Sequence, residues 1–499
     1  MVSKLSEKVI SNTTYLTLDW VIATVFSLLY WIIVGKFLSP ENYGIVSTVN
    51  GLVPFVSMIS MLGLSLAIMK LVPEYSVNQR NKIKPIVRFS LKIIALTNIA
   101  IAITFVAFSS QLSSIFKIDT VTVILSAIGI ISMSFFYMSG SVIYGLQNMK
   151  KYFTSDLFGQ IAKVIITISM MYFGFLFYGP VVGLIAGFAV SLIFRFDMEW
   201  LSGNSSRFDS SVLFEYAKPG IIFILISSVF TYYQYFILPI VQDQFTTGLF
   251  SVALRITTLI SMVPAVLISG LFPVLSGLSA IKAGQRHQGF LVGSMSRYTL
   301  FAIVPLVAFS IIFAKHLVIL FSQPQYVAAA SLFPILAIAS MIYGMGNMYT
   351  QALYAIKKPK IFRNVAIASL VTFVATSIPF AYFYSSFGLS ISYLLSAFIL
   401  FILSFIFLRK NVPLYTNPYS IIKIIIATAI FSLILIVSEF ISIPLARVAA
   451  IILSFPAYIF VLRLLKFYNE QDVKILKFIG HKVPIVRRPL DAIADMISK

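Results

Sequence analysis

Arg255 is the residue of this chain with the most chemistry to explain. It stands in the stretch 248–272, where every other residue is uncharged. A charge deep in hydrocarbon costs several kcal/mol unless it faces a cavity or a partner. A guanidinium presents a planar fork of donors that matches phosphate oxygens two at a time, so one chemistry for Arg255 is capture of a phosphate-bearing group. The other reading is an arginine whose stem lies in the apolar layer while its head reaches the outer headgroups. Among the other charges within or at the ends of apolar stretches, Asp19, Lys163 and Lys36 are further candidates. Asp19 could take up a proton or sodium, or pair with a lysine. Lys163 could meet an incoming anion or snorkel, and Lys36 fits an interface. Neutral partners for hydroxyl-rich ligands are available in Asn50, Gln147, Asn148, Gln160, Gln234, Asn347 and Gln351. An amide removed from water needs a partner, and bonding between helices satisfies it as well as a ligand does.

Other chemistries are absent from the sequence. There is no GxxxxGK[ST] phosphate loop, and His287, His316 and His481 stand far apart, with no acidic residues at metal-ligand spacing. The longest polar stretches, 195–218 and 468–499, are too short to fold into a catalytic domain. No catalytic residue, metal site or cofactor is therefore expected, and a transporter is favoured over an enzyme.

The elements that position these groups are apolar runs. Fourteen stretches have the length of about 17–25 residues that a helix needs to cross a bilayer: 15–36, 44–69, 87–109, 121–145, 156–177, 180–196, 217–240, 248–272, 298–314, 326–353, 363–384, 388–408, 420–441 and 443–465. Their connections alternate. One set carries Lys4 and Lys8, then Arg80, Lys82, Lys84 and Arg88, then Lys150 and Lys151, Arg207 and Lys218, Lys282 and Arg286, Lys357, Lys358, Lys360 and Arg363, and Arg409 and Lys410. The other set holds only Lys36, Lys117, Lys315 and Arg447. Basic loops stay in the cytoplasm, so both termini are expected there. The net charge of +21 then matches an anionic inner leaflet rather than nucleic acid. The first span has no cleavage site before it and reads as an uncleaved anchor. With no cysteine, disulfides and thiolate metal sites are excluded. The sequons at Asn12 and Asn204 fall on predicted cytoplasmic segments.

Two segments recur in order. GIVSTVNGLVPFVSMI (44–59) matches GLFSVALRITTLISMV (248–263), with Gly44/Gly248, Ser47/Ser251, Ser57/Ser261 and Met58/Met262 in register. YGLQNMKKYFTSDLFGQ (144–160) matches YAIKKPKIFRNVAIASL (354–370) through Tyr144/Tyr354, Lys150/Lys360 and the aromatic pair Tyr152/Phe362. The offsets, 204 and 210 residues, nearly agree. Such a duplication predicts two parallel six-helix halves, 1–200 and 201–415, with a substrate path between them. Two further helices, 416–467, and a basic amphipathic tail, 468–499, follow. Pro54, Pro264 and Pro273 remove helix hydrogen bonds in equivalent elements of the halves, as fixed kinks or as hinges. Gly179-Pro180 and Phe387-Gly388 read as tight turns.

At FLSPENYGIVST (37–48), YGLQNMKKY (144–152), TTGLFSVALRI with LFPVLSGLS (246–279) and LYAIKKPK (353–360), the chain resembles the Wzx-type polysaccharide transporters of the multidrug/oligosaccharidyl-lipid/polysaccharide exporter superfamily. The resemblance spans essentially the whole chain. It implies an all-helical, multi-pass protein of the cell membrane that moves a polyprenyl- or dolichyl-linked oligosaccharide from inner to outer leaflet by alternating access, without ATP. On that view Arg255 would meet the carrier's diphosphate, and membrane lipids and glycosyltransferases or a polymerase of the same pathway would be its partners. The superfamily's cation-coupled drug exporters are the first alternative. They keep acidic residues in the N-terminal bundle, where Asp19 is the carboxylate expected inside a span. A membrane-embedded glycan-assembly enzyme or scaffold is the second.

Overall fold

The computed structural model describes residues 2–197, 200, 210–279, 281, 284–415, 418–469, 472 and 473. The tail beyond 473, with His481, lies outside them, as do Asn204, Arg207 and Lys282. Among these residues the chain is helical throughout, in the order α1 (Val2–Phe37), α2 (Pro40–Ser60), α3 (Leu64–Asn78), α4 (Ile83–Ala107), α5 (Ser109–Phe116), α6 (Thr120–Gly145), α7 (Met149–Tyr172), α8 (Tyr178–Arg195), α9 (Ser210–Ser228), α10 (Gln234–Val241), α11 (Gln244–Leu278), α12 (Gly284–Ile312), α13 (Ala314–Phe321), α14 (Phe333–Ala355), α15 (Pro359–Asn411), α16 (Pro418–Glu439) and α17 (Pro444–Leu464). Among the described residues, twelve stretches are long and apolar enough to cross a membrane. This is a multi-pass membrane protein.

Local signals set the helix ends. Ser39 caps α2, with Pro40 in its first turn, where a missing N–H costs nothing. Asp119 caps α6 by accepting from the Thr122 amide at 3.0 Å. The α6 to α7 and α14 to α15 connections share one geometry. The amide of Asn148 reaches back to Ile143 O (3.2 Å) and that of Lys358 to Leu353 O (3.0 Å), around Gln147 and Lys357 at φ 57° and 63°. Both are Schellman caps, and they lie 210 residues apart, at the offset between the matching segments. The ring pairs Tyr144–Tyr152 and Tyr354–Phe362 recur beside them.

Several expectations need revision. The stretch 44–69 is not one helix: Leu62 and Gly63 adopt φ 49° and 74°, separating α2 from α3. Gly63 lies so close to α9 that a Cβ there would sit 2.2 Å from Ala217 O. The stretch 217–240 is interrupted by a π-turn at Val229–Tyr233. Phe387-Gly388 is helical, and the break in α15 falls at Ser385 (φ 55°, ψ −138°). Gly179-Pro180 opens α8; the turn before it is made by Gly174 (φ 85°) and Leu176 (φ 41°).

The helices cluster into two units. One comprises 1–255, 315–332 and 370–393, the other 256–314, 333–369 and 394–499. In the first, Met61, Ile68, Ile86, Ile94, Met138 and Val142 are core residues. In the second, Ile260, Leu275, Met295, Ile303, Met348 and Leu408 are. Leu433 on α16 and Leu445, Ile452 and Leu453 on α17 are largely exposed, as a surface bathed by lipid chains requires.

Candidate functional site

Arg255 lies in the first unit. Because α11 begins at Gln244, the residue sits roughly 16 Å along the helix, deeper than the stretch 248–272 suggests. Its Cζ is 3.2 Å from the Trp31 ring centre and 4.6 Å from that of Tyr235. The Tyr43 hydroxyl is within hydrogen-bonding reach of the same guanidinium. Tyr30 also feels its charge; it is 2 % exposed and donates to Pro180 O at 3.0 Å. On α7, Lys163 Nζ stands 5.1 Å from the Tyr30 ring centre. Two of the predicted cations thus belong to one aromatic shelter built from α1, α2, α7, α10 and α11. Ring faces stabilise a cation in a place poor in water.

Asp19 belongs to a second cluster. Arg195, 1 % exposed, donates through Nε to Ser155 Oγ (3.1 Å), through Nη1 to Phe136 O (3.0 Å) and through Nη2 to Asp156 Oδ1. Its guanidinium is stacked between Phe136 and Tyr152, 4.1 and 4.3 Å from their ring centres. Asp19 is within hydrogen-bonding reach of Asp156 and feels Arg195. The arginine also lines a cavity of about 240 Å³ with Met58, Met61, Met69, Tyr137 and Tyr144. Reading the sequence passes over Asp156 and Arg195 because both stand at the edges of apolar stretches, where charges look like loop residues. A signal was present. Gly183, Gly187, Ser191 and Arg195 repeat at four-residue spacing, which places them on one helix face. That face meets α7 so closely that a Cβ on Gly159 would come 1.8 Å from Ser191 Oγ.

Above the Arg255 shelter, the end of the first unit bearing the charge-poor loops is closed by many contacts. Lys36 Nζ donates to Ile319 O at 2.6 Å, and Gln323 donates to Lys36 O. Tyr326 donates to Leu38 O at 2.9 Å. Gln244 donates to Phe116 O at 2.6 Å and accepts from the Thr48 hydroxyl at 3.1 Å. At the centre α2 crosses α11 through Gly44 and Gly248. A Cβ on Gly44 would lie 1.9 Å from Gln244 O, and one on Gly248 1.9 Å from Pro40 O. The two contacts are related by the 204-residue offset seen between the matching segments.

The remaining predicted residues are scattered. Asn50 is half-buried on α2. Gln234 is 4 % exposed on α10 and donates to Phe230 O at 3.5 Å. Gln147 is exposed in the Schellman turn. Asn347 and Gln351 are half-buried on α14 of the second unit. Pro54 is buried within α2. Pro264 and Pro273 both lie inside the unbroken α11, and Pro264 packs where a Cβ on Gly344 would meet its Cγ at 2.7 Å.

Comparison with solved structures shows a shared fold. The chain is similar to a structure titled "Lipid II flippase MurJ, inward closed conformation", with 14% identity over 91% of this chain and 98% of that one, at a TM-score of 0.74. It is also similar to an inward-facing multidrug resistance MATE family transporter of the MOP superfamily: 16% identity, 78% and 95% coverage, TM-score 0.62. A MOP superfamily transporter from Pyrococcus furiosus aligns with 15% identity over 81% and 95% of the two chains, TM-score 0.52. No curated protein sequence matches. The profile described as Polysaccharide biosynthesis protein covers residues 33–331, more than half of the chain. The chain therefore belongs to the polysaccharide biosynthesis protein family.

Proposed function

We propose that this protein is a flippase that carries a polyprenyl- or dolichyl-linked oligosaccharide from the inner to the outer leaflet of the plasma membrane by alternating access. The observation that carries the reading is the pair Arg255 and Lys163 in an aromatic shelter beneath a closed end. A diphosphate between carrier and sugar needs cations gathered in a sheltered place, and a guanidinium suits phosphate oxygens two at a time. Family membership supports the glycan as cargo, and the likeness to a protein titled a lipid II flippase supports the lipid link. The activity is transport and not catalysis.

The finer arrangement belongs to the same proposal. Counting α7 as a span and dividing α15 at Ser385 turns the twelve apolar stretches into fourteen, which leaves both termini in the cytoplasm. The six-helix halves are 1–200 and 201–415, with 416–467 as the added pair. Pro54, Pro264 and Pro273 act as hinges, and Asn50, Gln234, Asn347 and Gln351 contact sugar hydroxyls. Glycosyltransferases or a polymerase of the pathway deliver or receive the cargo.

One observation favours the cation-coupled exporter. Asp156 beside Asp19 adds the second N-terminal carboxylate that sequence reading did not find. Translocation of a fluorescent lipid-linked oligosaccharide in proteoliposomes, read with an impermeant quencher, separates the two. Protein-dependent exposure of the lipid, accelerated by an inside-negative potential at about 2.3 kcal/mol per charge per 100 mV, is the expected result. No lipid movement alongside ion-driven efflux of a small cation would assign the exporter.

A further inference from the structure

The second unit holds a cavity of about 660 Å³ that the transport reading does not use. Its walls are apolar and aromatic: Met341, Met345, Tyr349, Phe401 and Phe405 line it from α14 and the second arm of α15. Tyr349 stands 5.8 Å from each of the two phenylalanines, which stack on one another at 6.1 Å. Its rim is cationic. Arg297 on α12, Lys423 at the start of α16 and Lys466 just after α17 all border it.

The rim is built with care. Arg297 holds the segment after α17 in place through Asp472, at 2.6 and 3.3 Å, and through Phe467 O at 2.8 Å. Asp472 is saturated: it also accepts from the Tyr298 hydroxyl and from the Asn469 amide. Lys423 Nζ donates to Lys466 O at 2.8 Å, pinning a turn in which Lys466 takes φ 53°. One carboxylate against three cations leaves the rim two charges positive among the described residues. Two buried donors on this rim, Arg297 Nε and the Tyr468 hydroxyl, make no hydrogen bond among those residues. A buried donor left without a hydrogen bond loses its hydration uncompensated, so such atoms call for an acceptor. Burial also pushes the Tyr468 hydroxyl above the ordinary phenol range, which keeps it a donor.

We propose that this cavity binds an anionic phospholipid, its phosphate oxygens on Arg297 Nε and the Tyr468 hydroxyl beside Lys423 and Lys466, and an acyl chain against Tyr349, Phe401 and Phe405. Charge complementarity selects an anionic head, and the apolar walls select a ligand with a chain. A free inorganic phosphate would satisfy the rim and leave the walls without a partner. The inference stands apart from the flippase reading, because binding is measured without translocation.

The test is a titration of the full-length protein in detergent with six-carbon phosphatidylglycerol and phosphatidylcholine, followed by native mass spectrometry. Wild type should bind phosphatidylglycerol about tenfold or more tightly, as a hydrogen bond to a charged group predicts. Tyr468→Phe, which removes one oxygen from a residue outside the helices, should lower phosphatidylglycerol affinity several-fold and leave phosphatidylcholine unchanged. Lys423→Gln with Lys466→Gln should abolish the preference while the melting temperature is kept. Equal affinity of wild type for the two lipids would overturn the proposal, as would indifference of the preference to both variants. Tighter binding of a short isoprenyl phosphate than of phosphatidylglycerol would also overturn it, by giving the site to the carrier lipid.

Discussion

Replacing Gly44 or Gly248 by alanine tests how the closed end is held. Each new Cβ would arrive 1.9 Å from a carbonyl oxygen of the facing helix. Ordinary contact begins near 3.4 Å, so α2 and α11 must part by roughly 1.5 Å at the crossing, and dispersion contacts around it weaken accordingly. Overpacking of this kind costs about 1–3 kcal/mol. In a transporter that alternates between closed and open forms of this end, the whole cost falls on the closed form. A shift of about 2 kcal/mol changes the ratio of the two forms about thirtyfold. Spin labels placed on the flanking loops, read by double electron–electron resonance, report the distribution directly. Each single variant should shift it toward the longer distance. The double variant should fall well short of the sum, because both substitutions open the same gap. Full additivity, or an unchanged distribution in both singles, would refute the crossing as the structural clasp.

Arg195→Met should destabilise the protein by about 3–5 kcal/mol, as breaking a buried ion pair does. Adding Asp156→Asn should restore part of the loss in thermal unfolding, and no restoration would mean that the pair is not coupled. Arg255→Ala should abolish lipid-sugar translocation at normal folding, whereas Arg255→Lys should retain only a small part, since a point charge cannot bond bidentately or stack as a guanidinium does; full activity of the alanine variant would remove Arg255 from the site. Lys357→Gly and Gln147→Gly should each stabilise by about 0.5–1 kcal/mol, by relieving a side chain held at positive φ in a helix cap. A lower melting temperature in both would show that the side chains do more than occupy the turn.

Much of the fold was legible in the sequence, and for a local reason. In hydrocarbon a helix satisfies its own backbone hydrogen bonds, so an apolar run of sufficient length is enough to specify a span. The matching segments around Tyr144 and Tyr354 carry matching caps at Gln147 and Lys357. Interruptions were less visible. Gly63 marks the break after α2, but nothing in the residues around Ser385 announces a left-handed serine, and Phe387-Gly388 draws the eye to the wrong turn.

The sites divide in the same way. That Arg255 and Asp19 needed partners was evident from their cost in an apolar stretch. Which partners they found was not, because Trp31, Tyr43 and Tyr235 reach Arg255 from three other helices, and Asp156 and Arg195 come to Asp19 from two more. Association of helices in a membrane lacks a hydrophobic driving force and rests on close fit and polar bonding. Many apolar faces are nearly equivalent in sequence under those terms. Composition and spacing alone determined a helical chain that spans a membrane many times. Only packing decided that its charges would gather into an aromatic shelter, a half-buried carboxylate pair beside Arg195 and a cationic cavity rim.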